Sequence, residues 1–211
     1  MGLDPSLGFS HSGALATLLL AILACPLLAF AAPEKKATVI DKALAKAFPD
    51  CEVKRVACKL DKKAVGQVRK LAAQKSFNKK AAFAYVARDA DGKIVGTAFF
   101  DAHKVRTKRE TLMVLVNPSG TLKGVETVVF QEPPEYIAQD AFYASLEGRS
   151  QGRKLQLGRG LDGTTGATLT CRAVADCTRR VLALHEVLGE RVGCQKSDEK
   201  EGVARLADSA R

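Results

Sequence analysis

The residues with the most chemistry to offer stand near the C-terminal end, in Asp162-Gly163-Thr164-Thr165-Gly166-Ala167-Thr168-Leu169-Thr170. Small and hydroxyl side chains crowd together there, directly ahead of a strongly periodic helical pattern. Such a run can wrap closely around a ligand and aim backbone N–H groups at a phosphate. Gly166 and Ala167 put minimal side chains beside Thr168, and the Thr165 and Thr170 hydroxyls can add hydrogen bonds. Asp and Thr also commonly start helices, so a loop ending in a Thr N-cap accounts for the same residues without any ligand. The residues alone leave both readings open.

Two further segments bear on that choice. In Ala102-His103-Lys104-Val105-Arg106-Thr107-Lys108-Arg109-Glu110, five of nine side chains can carry positive charge. They read either as a solvated loop or as an electropositive wall beside a bound anion, with Arg106 the candidate contact. Gln131-Glu132-Pro133-Pro134-Glu135-Tyr136 is stiffened by two prolines, which forbid further ladder bonds. No G-x-G-x-x-G follows a strand pattern, which argues against a nicotinamide fold. No Ser–His or Cys–His pairing stands out as a nucleophile, and no C-x-x-C or haem-attachment spacing occurs. The three His residues are isolated in sequence, so no metal site is expected.

The elements that must position these residues follow from periodicity. Helices are expected at Ala37 to Phe48, from an Asp61 N-cap through Ala73, at Glu135 to Leu146 with Ile137, Ala141, Phe142 and Leu146 inward, and at Thr170 to Leu188. In the last of these Val174, Cys177, Val181, Leu184 and Leu188 form the apolar stripe, with Arg179 and Arg180 on the wet side. Cys51 to Leu60 reads as a strand or a loop. From Ala81 the period changes to two, and strands are expected at Ala81 to Ala87, Ile94 to Phe100, Thr111 to Val116 and Leu122 to Phe130. Short connections make neighbours antiparallel. The fold class is α+β, an antiparallel sheet of four or more strands with flanking helices. An accessory segment is expected at 37–80, the main domain at 81–190 and a disordered tail at 194–211.

Composition sets the setting. With 46% hydrophobic and 27% charged residues the 211-residue chain can bury a real core. Gly13 to Ala32 is one apolar run ending in Ala29-Phe30-Ala31, a signal-peptidase pattern, so residues 1–31 read as an export signal. Ile22-Leu23-Ala24-Cys25 also resembles a lipobox, and a retained anchor helix is the third option. Each places the remainder outside the cytoplasm, periplasmic or membrane-anchored. There, disulfides are permitted, and Cys51 with Cys58 is the expected pair. The net charge of +10 favours anionic partners. The basic residues lack interleaved aromatics, which leaves nucleic acid without support.

Asp162-Gly-Thr-Thr-Gly-Ala-Thr168 resembles the flavinylation motif of FMN-binding domain proteins. These small domains are related to the peripheral FMN subunits of the Na+-translocating NADH:quinone reductase and Rnf complexes. The resemblance runs from about Ala81 to Leu188. It implies FMN held covalently by a phosphoester to Thr168, a bond made from FAD by a separate flavin transferase. Asp162 then either holds the loop through an Asx-type turn or is read by the transferase. Glu132 and one proline match the family's His-x-Glu-Thr-Pro-Gly-type loop near the flavin. The implied function is electron carriage between a membrane donor and an extracytoplasmic acceptor. An exported flavin-dependent reductase and a basic non-redox binding module are the other two classes.

Overall fold

The computed structural model describes residues 37–152 and 155–193. The expected signal segment, Cys25, Arg153, Lys154, Cys194 and the expected tail at 194–211 lie outside the described residues. The chain runs α1 (Val39–Ala47), β1 (Glu52–Lys59), α2 (Lys62–Ala72), β2 (Ala81–Arg88), β3 (Ile94–Lys104), β4 (Arg109–Val116) and β5 (Leu122–Phe130). A 3₁₀ turn (Pro134–Tyr136), the short α3 (Asp140–Ala144), α4 (Thr168–Leu188) and a closing 3₁₀ turn (Gly189–Val192) follow. The five strands pair in sequence order, all antiparallel. The α+β class with an antiparallel sheet is what periodicity and short connections imply.

Both faces of the sheet are covered. On one, Ala84, Phe99, Leu112, Val114 and Val116 meet Val68 and Ala72 of α2 and Val174, Cys177, Val181 and Leu184 of α4. On the other, Leu44 and Phe48, from α1 and its C-terminal end, pack on Ala87, Ala98, Met113 and Leu115. This second layer explains why β4 reads Leu112-Met113-Val114-Leu115-Val116 without alternation: side chains on both faces are buried. Gly96 makes room for it, since a Cβ there would stand 3.0 Å from the Phe48 ring. Two sequence signals start the first helices. Thr38 and Asp41 form a capping box on α1, and the Asp61 carboxylate accepts the Ala64 N–H at 2.7 Å on α2.

Four expectations change. Residues 37–80 are no accessory segment: β1 pairs along its length with β2, and α2 shares the α4 core. Cys51 and Cys58 are both free thiols. Seven residues of extended chain separate them by roughly 23 Å, far beyond disulfide reach. They also serve different cores, Cys58 under α4 and Cys51 beside α1. The helix expected over Glu135 to Leu146 is broken into the 3₁₀ turn and α3, which leaves Ile137 and Ala141 exposed. Extended backbone at Ile137 and Gln139 separates the two pieces. Finally, Arg179 and Arg180 are turned inward. Arg179 pairs with Asp176, and Arg180 donates to Asp101 at 2.8 Å and to Gln74 at 2.9 Å.

His185 sits in the α4 stripe, 1% exposed and edge-on to Phe99 at 6.3 Å between ring centroids. Neither ring nitrogen has a hydrogen-bond partner among the described residues. Burial lowers its pKa from 6.5 to about 4. The unfolded chain therefore takes up a proton near pH 6.5 that the folded protein refuses until about pH 4. This group's share of stability is full above pH 6.5 and is lost as pH falls toward 4, by about 3 kcal/mol in all. Urea unfolding of His185→Leu and the unchanged protein across that window should show the variant with the shallower pH dependence. Equal slopes would contradict the assignment.

Candidate functional site

The Thr-rich stretch folds as a tight turn feeding a helix. Ala167 N–H donates to the Thr164 carbonyl at 3.1 Å, and Gly166 takes φ 84° at the third position of that turn. A positive φ there suits glycine, as in type II turns. Gly163 is small for another reason: a Cβ would stand 2.6 Å from Leu157 Cδ2. α4 then begins at Thr168 with Ala167 as N-cap and no side-chain cap bond. A Thr N-cap is therefore not what the motif builds. The first intrahelical bond runs from Cys171 N–H to the Ala167 carbonyl at 2.9 Å. The Thr168, Leu169 and Thr170 amides have no acceptor within the helix, and no acidic residue occupies the first turn. The positive end of the α4 dipole is left open.

Across from it stands the β3–β4 hairpin. The expected nine-residue basic loop is mostly strand, because β3 continues to Lys104 and β4 starts at Arg109. Only 105–108 turn, closed by Val105 N–H to the Lys108 carbonyl at 3.2 Å. This turn carries Arg106 to a cavity of about 220 Å³ lined by Arg106, Tyr136 and residues 166–170. The Arg106 guanidinium lies over the Tyr136 ring, 4.3 Å from its centroid. The buried Thr170 hydroxyl donates to the Tyr136 carbonyl and so ties the proline-rich loop to the helix start. Thr168 is exposed, and its hydroxyl makes no hydrogen bond among the described residues. Leu169, 48% exposed, gives the lining its apolar surface.

Glu132 works from behind. Its buried carboxylate accepts the Lys108 and Thr107 N–H groups at 2.7 Å each and the Arg106 N–H at 3.2 Å. These amides, Lys108 first, hold its pKa below the usual carboxylate value despite burial. Glu132 thus fixes the turn that presents Arg106, and it does not line the cavity.

The structure brings Arg106, Gly166, Ala167, Thr168 and Thr170 to one place. It leaves Thr165 and Asp162 exposed outside the lining, and the Asp162 carboxylate makes no hydrogen bond among the described residues, so no Asx turn forms. Thr164 takes a structural part instead: its hydroxyl accepts the Gln139 N–H at 3.3 Å, and its own N–H points to Cys171 Sγ at 3.3 Å. Tyr136 and Leu169 are lining residues that were not among the sequence-predicted site residues. For Tyr136 the signal was present: an aromatic two residues after a double proline, facing a basic turn.

Just past Leu169 lies a second cavity, of about 270 Å³, whose walls include His103, Lys104, Arg172 and Arg180. Beneath it Asp101 is buried, with Arg180 Nε at 2.8 Å and Lys79 Nζ at 3.2 Å. Burial pushes the Asp101 carboxyl up, but these two cations outweigh it and hold the pKa below its ordinary value. Among the described residues no helix is long and apolar enough to cross a membrane.

Comparison with known proteins bears on the same region. Among curated proteins none matches the chain. Among solved structures, the crystal structure of Shewanella oneidensis NqrC aligns at 18% identity with a TM-score of 0.48, covering 69% of this chain and 86% of that one. The family model described as FMN-binding domain matches residues 106–183, which run from the arginine over Tyr136 to the middle of α4. The matched segment, residues 106–183, is the one that builds the cavity, and over it the chain is similar to the FMN-binding domain family.

Proposed function

We propose that the chain is an exported flavoprotein that carries FMN as a phosphoester on Thr168 and serves as an electron carrier between a membrane donor and an extracytoplasmic acceptor. The observation that supports it most is the pairing at the cavity. A free, exposed Thr168 hydroxyl stands at an uncapped helix start, facing a turn that presents Arg106. The residues fit the group. The Thr168, Leu169 and Thr170 amides and the Arg106 guanidinium would hold the singly charged phosphodiester. Gly166 and Ala167 leave the Thr168 oxygen open to a transferase. Leu169 and Tyr136 offer apolar and aromatic surface to a flat ring system. When bound, the flavin supplies the electron transfer, and the protein holds and orients it. The apolar run at Gly13 to Ala32 supports export, and the net charge of +10 supports docking on acidic redox partners.

Co-expression with a flavin transferase, followed by a denaturing gel viewed by flavin fluorescence, tests the bond. The expected product is a fluorescent band whose intact mass exceeds the chain by one FMN less one water. Thr168→Val should abolish both, and Thr170→Val should keep them, because that hydroxyl is spent on the Tyr136 carbonyl. Covalent flavin on Thr168→Val would move the acceptor elsewhere. No flavin on the unchanged protein would favour a non-redox binding module.

The support given by Glu132 is testable without touching the cavity. In Glu132→Ala the Thr107 and Lys108 amides lose their acceptor. Their hydrogen-exchange protection should fall by about tenfold or more, with little change in the α4 core. Flavin incorporation in the co-expression assay should fall alongside, as it should in Arg106→Gln. Unchanged exchange at both amides would remove the clamp from the account.

A further inference from the structure

The sheet face under α4 carries a polar group that the flavin reading does not use. Asp101 and His103 are two residues apart on β3 and so project to one face. Cys177 comes down on them from α4, and one donor atom from each of the three lies within 4.8 Å of the others. His103 sits opposite Glu110 across β3 and β4, with Nε2 3.0 Å from Glu110 Oε2. Glu110 is 0% exposed, and its other oxygen has no partner among the described residues. The His103 Nδ1 atom is likewise buried and unpartnered. The 270 Å³ cavity opens beside this group and brings Lys104 and Arg172 to its rim.

We infer that Asp101, His103 and Cys177 form a binding site for one divalent transition-metal ion of the zinc type, with its fourth position open to the cavity. A nitrogen, a sulfur and an oxygen donor with one position left free suit zinc. Glu110 accepts the Nε2–H, which fixes the tautomer and leaves the Nδ1 lone pair for an ion. Carboxylate-supported histidines hold metals in this way. Ligand atoms around one zinc ion stand roughly 3–4 Å apart, so small side-chain rotations close the observed spacing.

Charge decides what else binds. Cys177 gives up its thiol proton to water as the sulfur–metal bond forms, so Asp101, Glu110 and the thiolate together carry three negative charges. Arg180 and Lys79 already engage Asp101. Lys79 is 46% exposed and can withdraw to solvent, leaving Arg180 to orient the carboxylate. With Arg180 and the ion the site is then neutral. Asp176, the acidic residue of the cavity lining, is already paired with Arg179, so the Lys104 and Arg172 cations at the rim favour an anion, not a neutral molecule, at the fourth position.

Cobalt(II) added to the flavin-free full chain is the probe, so the result does not depend on the flavin reading. One cobalt per chain should give a sulfur-to-cobalt absorption band in the near ultraviolet, which zinc displaces. Zinc should also raise the melting temperature of the unchanged protein by several degrees. Cys177→Ser should lose the band, His103→Gln should lose it or bind at least about tenfold more weakly, and Glu110→Gln should keep it at about 10–100-fold lower affinity. Cys171→Ser, another buried α4 thiol outside the group, should behave like the unchanged protein. Circular dichroism checks that each variant folds, and if Cys177→Ser does not, His103→Gln decides. No band on the unchanged chain, or a band at full affinity in His103→Gln, would overturn the site.

Discussion

The structure depends on the burial of α4. Its stripe from Val174 through Cys177 and Val181 to Leu188 is sealed between the sheet and α2, and residues as polar as Thr178 and His185 are carried inside with it. A fully buried Val or Leu side chain contributes about 1.5–3 kcal/mol, so several along one helix outweigh any single polar contact nearby. That imbalance sets both the axial position of α4 and where its first turn must emerge. The emergence point is beside the β3–β4 turn, which the paired strands hold at a fixed height above the same core. Arg106 and Thr168 meet because two apolar surfaces leave them no other place.

The polar groups along this face are arranged around that constraint. Gln74 donates to the Asp176 carbonyl at 2.6 Å and accepts from Arg180, which in turn holds Asp101 on β3. The network spans the chain after α2, α4 and the sheet, and it resists sliding between them. Tyr136 and Glu132 do the same for the cavity walls, one tied to α4 and the other to the hairpin turn. Neither set needs a large net free energy. Their partners are buried or half-buried, and removing one would leave the other unsatisfied.

What the sequence made legible follows from how local each signal is. Caps and periods are local, so α1, α2, α4 and β5 stand close to where Asp61 and the apolar spacing place them. The cavity was legible in part, because Thr168, Gly166, Arg106 and Glu132 each lie in a segment with its own chemical accent. The remainder was not local. Arg180 turns inward only because Asp101, 79 residues away, waits under it. The division at residue 80 vanishes only once β1 finds β2. The Cys51–Cys58 pairing fails on strand geometry, which spacing alone does not encode until the segment is known to be extended. Asp101, His103 and Cys177 share no sequence window, and a scan for metal spacing passes over them for that reason.

One arrangement makes better sense with an anion than without. The entrance to α4 has an uncapped positive end, and the cavity lining across from it includes another cation, Arg106. A purely structural helix start gains about 1 kcal/mol from a Ser, Thr, Asp or Asn at the N-cap, and a carboxylate in the first turn adds about 0.3–1 kcal/mol. This chain has four threonines and an aspartate within nine residues and places Ala167 at the cap. Thr168 and Thr165 stay exposed, Thr164 and Thr170 bond elsewhere, and Asp162 faces water. The Tyr136 ring under Arg106 and the Glu132 carboxylate under its turn hold the guanidinium in place against the helix end. Positive charge set against positive potential, with the local anions turned away, is a poor design for a loop. It is a good one for a phosphate.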